Sequence, residues 1–289
     1  MEVTMENILQ IQNLCKTYKE FQLSNVIFSV PSGSIVGFIG ENGAGKTTTI
    51  KLILNEIKRD SGSVKIFGMD NIRDERKIKE QIGVVFDESY FHGEFNAGDI
   101  SKIMSKVFQS WDNNLFDRYL TEFKLPKNKI IKEYSKGMKM KLGIASALSH
   151  KPRLLILDEA TSGLDPIVRS EILDIFLDFI QDETHSVLFS SHITSDLEKV
   201  ADYVVFIHEG QIVFDRSKDE LIYNCGILKC GAADFVRLDK SGFVRWRKGE
   251  CGYEALVTDR EGAKRKYPNM VIDAATIDEI MLLYVKGEK

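Results

Sequence analysis

Gly40-Glu41-Asn42-Gly43-Ala44-Gly45-Lys46-Thr47-Thr48 restricts what this chain can fold into more than any other stretch. It fits the pattern G-x-x-x-x-G-K-[ST], a phosphate-binding loop. Glycine lets the backbone curl until successive N–H groups point inward, which makes a nest the size of an anion. A helix that starts at such a loop adds the N–H groups of its positive end. Residues 40–48 are therefore expected to wrap the phosphates of a nucleotide. Lys46 reaches the β- and γ-phosphates, and the Thr47 hydroxyl serves as a Mg²⁺ ligand.

Such a loop works only between a buried strand and a helix. Residues 34–39 (Ser-Ile-Val-Gly-Phe-Ile) read as the strand, and Ile50, Ile53, Leu54 and Ile57 recur at helical spacing after the loop. A glycine-rich turn that binds nothing is the competing reading, and this setting opposes it.

The rest of the chain alternates strands with helices, which implies a mainly parallel sheet with antiparallel additions. Residues 8–14 read as an edge strand and residues 21–30 as a second strand. Tyr18 lies between them. An aromatic there can stack on a purine or simply pack at a strand end. Residues 63–68 make a short strand, 73–81 a charged helix and 82–86 a buried strand that ends at Asp87. Residues from about 88 to 150 read as helical, with apolar stripes through Ile100, Ile103, Met104, Val107 and Phe108, then Leu115, Phe116, Tyr119, Leu120 and Phe123. Pro126 breaks that run, and a third helix starts near Ser135. Glu209-Gly210 turns a hairpin. From about Ser217 the strands weaken and lead to a helix near residues 276–285.

Residues 153–159 (Arg-Leu-Leu-Ile-Leu-Asp-Glu) supply the second half of a nucleotide site: an aliphatic strand ending in two carboxylates. Asp158 would hold Mg²⁺ through water, opposite Thr47. Glu159 could polarise a water for attack on the γ-phosphate. An Asp-Glu pair that merely starts a helix is the alternative, and Lys46 already in place weighs against it.

In this order the motifs resemble the nucleotide-binding subunit of an ATP-binding cassette (ABC) transporter, over roughly residues 8–222. The resemblance gives Tyr18 as the adenine-stacking aromatic, and residues 40–48 as Walker A. It sets Asp87 at the position of the family's loop glutamine, there as a Mg²⁺ ligand. Tyr134-Ser135-Lys136-Gly137-Met138 matches the signature usually written LSGGQ. Residues 154–159 match Walker B with its catalytic glutamate, Ser162-Gly163-Leu164-Asp165 the D-loop, and His192 the switch histidine. In this family two copies pack head to tail with two ATP molecules between them. The resemblance therefore implies that Ser135, Gly137 and Asp165 complete a site on a second ATPase subunit, identical or different. It also implies that His192, alone among the five histidines, holds the γ-phosphate.

The expected fold class is α/β. A P-loop NTPase core has a mainly parallel sheet plus an antiparallel β-subdomain, a helical insertion at about 88–150 and a small α+β C-terminal appendage. The domains expected are 1–222 and 223–289.

Some positions depart from the family pattern. Asp87 replaces glutamine, with shorter reach and an added charge. Lys136 replaces a signature glycine, Met138 its glutamine, and Ala160 a common proline. The Ser-Lys-Gly-Met form resembles a branch that serves two-part exporters of Gram-positive bacteria, which move drugs, peptides or ions through a separate permease.

Composition narrows the alternatives. The net charge is −4 over 289 residues, with no strongly basic face in the sequence, so a nucleic-acid partner is not expected. Four cysteines without a C-x-x-C pair suit a reducing cytosol. No signal-peptide pattern or bilayer-length apolar run occurs, so the expected place is cytoplasmic, peripheral on the inner face of the membrane through the permease. Exposed aromatics at Tyr90, Phe91 and Phe95 are candidates for receiving that permease. A soluble ABC-type ATPase acting on DNA or ribosomes is the alternative, but the insertion is too short for a coiled coil and only one cassette is present. A slow nucleotide-gated regulator is another, against which Lys46, Asp158, Glu159 and His192 all argue for turnover.

Overall fold

A computed structural model describes residues 6–87, 91–249 and 252–288. The chain opens with β1 (Asn7–Thr17), β2 (Gln22–Pro31), β3 (Ile35–Ile39) and α1 (Lys46–Ile53). β4 (Ser61–Ile66), the two-residue β5 (Met69–Asp70), α2 (Glu75–Lys79) and β6 (Ile82–Phe86) follow. α3 (Ala97–Val107), α4 (Asn113–Glu122) and α5 (Lys136–Leu148) come next with no strand between them. β7 (Leu154–Asp158), α6 (Pro166–Phe179), β8 (Ser186–Ser191) and α7 (Thr194–Val200) alternate, and β9 (Tyr203–His208) with β10 (Gln211–Ser217) closes a hairpin. The C-terminal part holds β11 (Gly226–Cys230), α8 (Ala232–Arg237), β12 (Arg245–Lys248), β13 (Tyr253–Val257), α9 (Arg260–Lys266), β14 (Val271–Ala274) and α10 (Ile277–Lys286).

The central sheet has six strands in the order β10-β9-β3-β8-β7-β6. All neighbours are parallel except the β9–β10 hairpin. β3, β7 and β8 are buried along their whole length, as their near-continuous apolar sequences require. Their side chains alternate between two cores. Leu154 and Ile156 join Val36 and Phe38 in the core under β1, β2, β4 and α1. Leu155 and Leu157 join Ile35, Ile39 and Phe189 in the core under α5, α6 and α7. Phe176 of α6 meets Phe189 of β8 in that second core, at 5.5 Å between ring centroids.

Residues 8–14 differ from their expected role. β1 is no edge strand: it lies between β2 and β4 in a four-stranded antiparallel sheet. Its pairing shifts after Gln12, where Asn13 takes a positive φ of 49°. That bulge re-aims the strand, so simple alternation could not show which side chains are buried. The helix expected over residues 73–81 is only the short α2. A third sheet, antiparallel in the order β12-β13-β11-β14, gathers the C-terminal strands, and α10 returns from it toward β9 and β10. Tyr284 of α10 meets Phe206 and Phe214 at centroid distances of 6.2 and 5.7 Å.

The helical insertion is fixed at its entrance by a capping box. Asn96 Oδ1 accepts from the Asp99 N–H at 3.0 Å, and Asp99 Oδ2 accepts from the Asn96 N–H at 3.2 Å. Asn96→Ala should destabilise the protein by about 1 kcal/mol, read as a lower urea midpoint at unchanged slope. An unchanged midpoint would show that the cap contributes nothing.

Candidate active site

β3, β8, β7 and β6 run parallel and side by side, so their carboxyl ends share one edge of the sheet. Ile39 pairs with Ser191, Ser190 with Asp158, and Asp158 with Phe86. The loop at 40–45, His192, Glu159 and Asp87 therefore sit in a row, where open parallel sheets place their ligands.

The loop keeps its curl through Gly43 (φ 84°) and Gly45 (φ 114°). A Cβ on Gly40 would stand 2.4 Å from the Ile207 carbonyl oxygen, so no other residue fits there. Gly45 caps α1, and Phe21 packs beside it. Tyr18 N–H donates to Phe21 O at 2.8 Å, so the turn bearing the exposed Tyr18 is tied to the loop. Thr47 is exposed and Thr48 half-buried at the start of α1. Lys46 is only 6% exposed, and its ammonium donates to Gly40 O at 2.8 Å and Glu41 O at 3.3 Å.

Lys46 also pairs with Glu159 Oε1 at 3.1 Å, and Glu159 Oε2 meets His192 Nδ1 at 2.6 Å. A buried lysine needs such partners, since an unpaired charge away from water is costly. Lys46 at the start of α1, Glu159 after β7 and His192 after β8 thus form one connected line. Glu159 lies in the left-handed region, at φ 55°. Such a conformation costs about 1–3 kcal/mol and persists only where neighbours fix it. Ser190 fixes it: its carbonyl and its Oγ each accept from the Glu159 N–H at 3.1 Å. Ser190 Oγ in turn donates to Asp158 Oδ1 at 2.6 Å. Sequence reading missed Ser190, because a strand serine carries no motif.

The signature lies at the N-terminus of α5. Ser135 is its cap and its Oγ accepts from Met138 N–H at 3.2 Å, which leaves the hydroxyl proton free to donate outward. Gly137 allows close packing, since a Cβ there would lie 3.0 Å from Val168 Cγ1 of α6. Asp165 caps α6, accepting from the N–H groups of Ile167 and Val168 at 3.1 Å each. Asp87 Oδ1 lies 2.8 Å from Lys136 Nζ. His208, which carried no sequence signal, pairs with the Glu41 carboxylate beside the loop. Tyr90 lies outside the described residues, as does Cys251.

The family model for "ABC transporter" matches residues 23–162. The bacitracin transport ATP-binding protein BcrA of Bacillus licheniformis is 36% identical over 220 residues, which is 75% of this chain and 72% of that protein. The lantibiotic transport ATP-binding protein SrtF of Streptococcus pyogenes is 37% identical over 216 residues, 73% of this chain and 92% of that protein. A solved structure titled "Structure of ATP binding subunit of ABC transporter" superposes with a TM-score of 0.66 at 26% identity, over 74% of this chain and 91% of that one.

Proposed function

Because the chain belongs to the family of ABC transporter ATP-binding proteins, we propose that it drives export of a peptide antibiotic, drug or ion through a separate permease, as one half of an ATP-closed dimer. As a family member it is an ATPase, turning ATP and water into ADP and phosphate, and subunits of this kind work with membrane permease partners. Among the described residues no helix is long and apolar enough to cross a membrane. The proposal therefore gives the cargo path to the partner and places this chain against the membrane's inner face. The cargo class rests on the bacitracin and lantibiotic transport proteins it resembles. The proposed cassette is 1–222, with 223–289 as appendage.

The line from Lys46 through Glu159 to His192 carries the mechanistic reading. Incoming phosphates draw the Lys46 ammonium, since they offer more negative charge than one carboxylate. That frees Glu159 Oε1 to accept a proton from water, while His192, held at Nδ1, offers Nε2 to the γ-phosphate. The Thr47 hydroxyl and the Asp158 carboxylate are hard oxygen donors that suit Mg²⁺, which when bound would neutralise charge on the β- and γ-phosphates. Tyr18 stacks on the adenine. The Ser135 hydroxyl, the first N–H groups of α5 and Asp165 serve the nucleotide of the second copy. The N-terminus of a 13-residue helix is suited to that phosphate.

The permease is proposed to dock in a cavity of about 720 Å³ between β6 and α5, lined by Ile82, Val84, Phe91, Met104, Phe108 and Met140. His150 closes its floor, stacked on Phe108 at 3.9 Å, and burial pushes its imidazole below the ordinary value. Phe91 lines the cavity, and Phe95 lies exposed nearby with its carbonyl accepting from Ile131 N–H at 2.8 Å. Phe91→Ala, in the chain assembled with its permease, should lower transport per ATP hydrolysed by about tenfold, the loss of one central apolar anchor. A ratio equal to wild type would remove this face from the interface. Co-purification of the chain with a polytopic permease tests the function itself.

A further inference from the structure

Lys136 is the first residue of α5, and its ammonium touches more than Asp87. It also lies 3.1 Å from where a Cβ on Gly163 would stand. Gly163 has φ 66°, so the chain between β7 and α6 turns there and passes beneath the lysine without a side chain of its own. One side chain thus meets three segments: the end of β6, the turn that leads to Asp165, and the N-terminus that carries Ser135.

A cation at this place needs a reason. The N-terminal end of a helix is its positive end, and the first turn of α5 contains no acidic residue. The carboxylate of Asp87 supplies the missing negative charge. Both side chains are nearly half exposed, at 47% and 44%, so the pair adds little to stability. Its consequence is geometric.

We infer that Asp87 and Lys136 form a positioning pair that sets the N-terminus of α5 against the ends of β6 and β7, with Asp87 acting on Lys136 rather than on Mg²⁺. The inference rests on the dimer reading above, because the donors at the start of α5 act on the nucleotide of the other copy. Those donors are useful only within hydrogen-bond reach of the γ-phosphate, and a shift of about 1 Å lowers a rate by up to about 100-fold. Asp87 and Lys136 are the two positions that leave the family pattern on either side of this contact, and the geometry joins them.

The test uses the purified full chain and four variants: Lys136→Ala, Asp87→Asn, the double variant, and the exchange Asp87→Lys with Lys136→Asp. Each single change should lower kcat for ATP by about tenfold. Affinity of the isolated chain for a fluorescent ATP analogue should stay at the wild-type value in Lys136→Ala, because its own loop is untouched. The Mg²⁺ concentration for half-maximal activity should stay unchanged in Asp87→Asn. The double variant should be no slower than the slower single, and the exchange should recover most of the loss, as coupled residues do. Additive losses in the double variant, or an exchange no better than the singles, would overturn the pair. A raised Mg²⁺ requirement confined to Asp87→Asn would overturn it too and return Asp87 to the metal. Wild-type turnover is the control for the transporter reading, so additive losses against an active wild type refute the pair alone.

Discussion

Replacing Glu159 by glutamine should lower ATP turnover by about 10²–10⁴-fold, the usual contribution of a positioned general base. Glutamine has nearly the same shape, and its amide oxygen can still accept from Lys46, now 3.1 Å from Glu159 Oε1. What it loses is basicity. Binding and closure should therefore survive while chemistry stops. In the presence of ATP the variant should run as a stable dimer in size-exclusion chromatography, with phosphate release near background. The wild-type chain should return to monomer as ATP is consumed. Wild-type-like phosphate release from Glu159→Gln would remove Glu159 from the role of base.

The second large effect is on binding. Lys46→Ala removes a charge-assisted contact to the phosphates, worth about 1.5–3 kcal/mol. That corresponds to roughly 10- to 150-fold weaker nucleotide binding, at 1.4 kcal/mol per tenfold. Titration with a fluorescent ATP analogue measures it directly. The change also leaves Glu159, with 16% of its side chain exposed, facing His192 alone. The variant should for that reason unfold at slightly lower denaturant than wild type. Undiminished affinity would mean that the loop binds something other than phosphate.

The order of the site along the chain was legible because each part sits at the end of a strongly apolar strand. Residues 34–39 and 154–157 could hardly be anything but buried strands, and a glycine-rich loop or a pair of carboxylates after such a strand has few other uses. α5 was legible as a helix that starts near Ser135. Other features were not. β14 is four residues long with only Ile272 buried, too weak a pattern to read. The position of β1 between two partners depends on β4, some fifty residues later in the chain, and on the bulge at Asn13. Local periodicity holds no record of either.

The sequence by itself determined the phosphate loop, the strand-end carboxylates, the family and the fold class, because these depend on local backbone chemistry and on apolar runs. It gave Lys46, Glu159 and His192 their proposed roles without showing that they touch. Only the tertiary structure decided that these three form one connected line, that Ser190 fixes the backbone of Glu159, that His208 meets Glu41 and that Asp87 faces Lys136. Each of these contacts joins residues far apart in the chain, at the ends of neighbouring strands or at a helix start beside them. Strand order and register bring them together, and neither is written in any one segment.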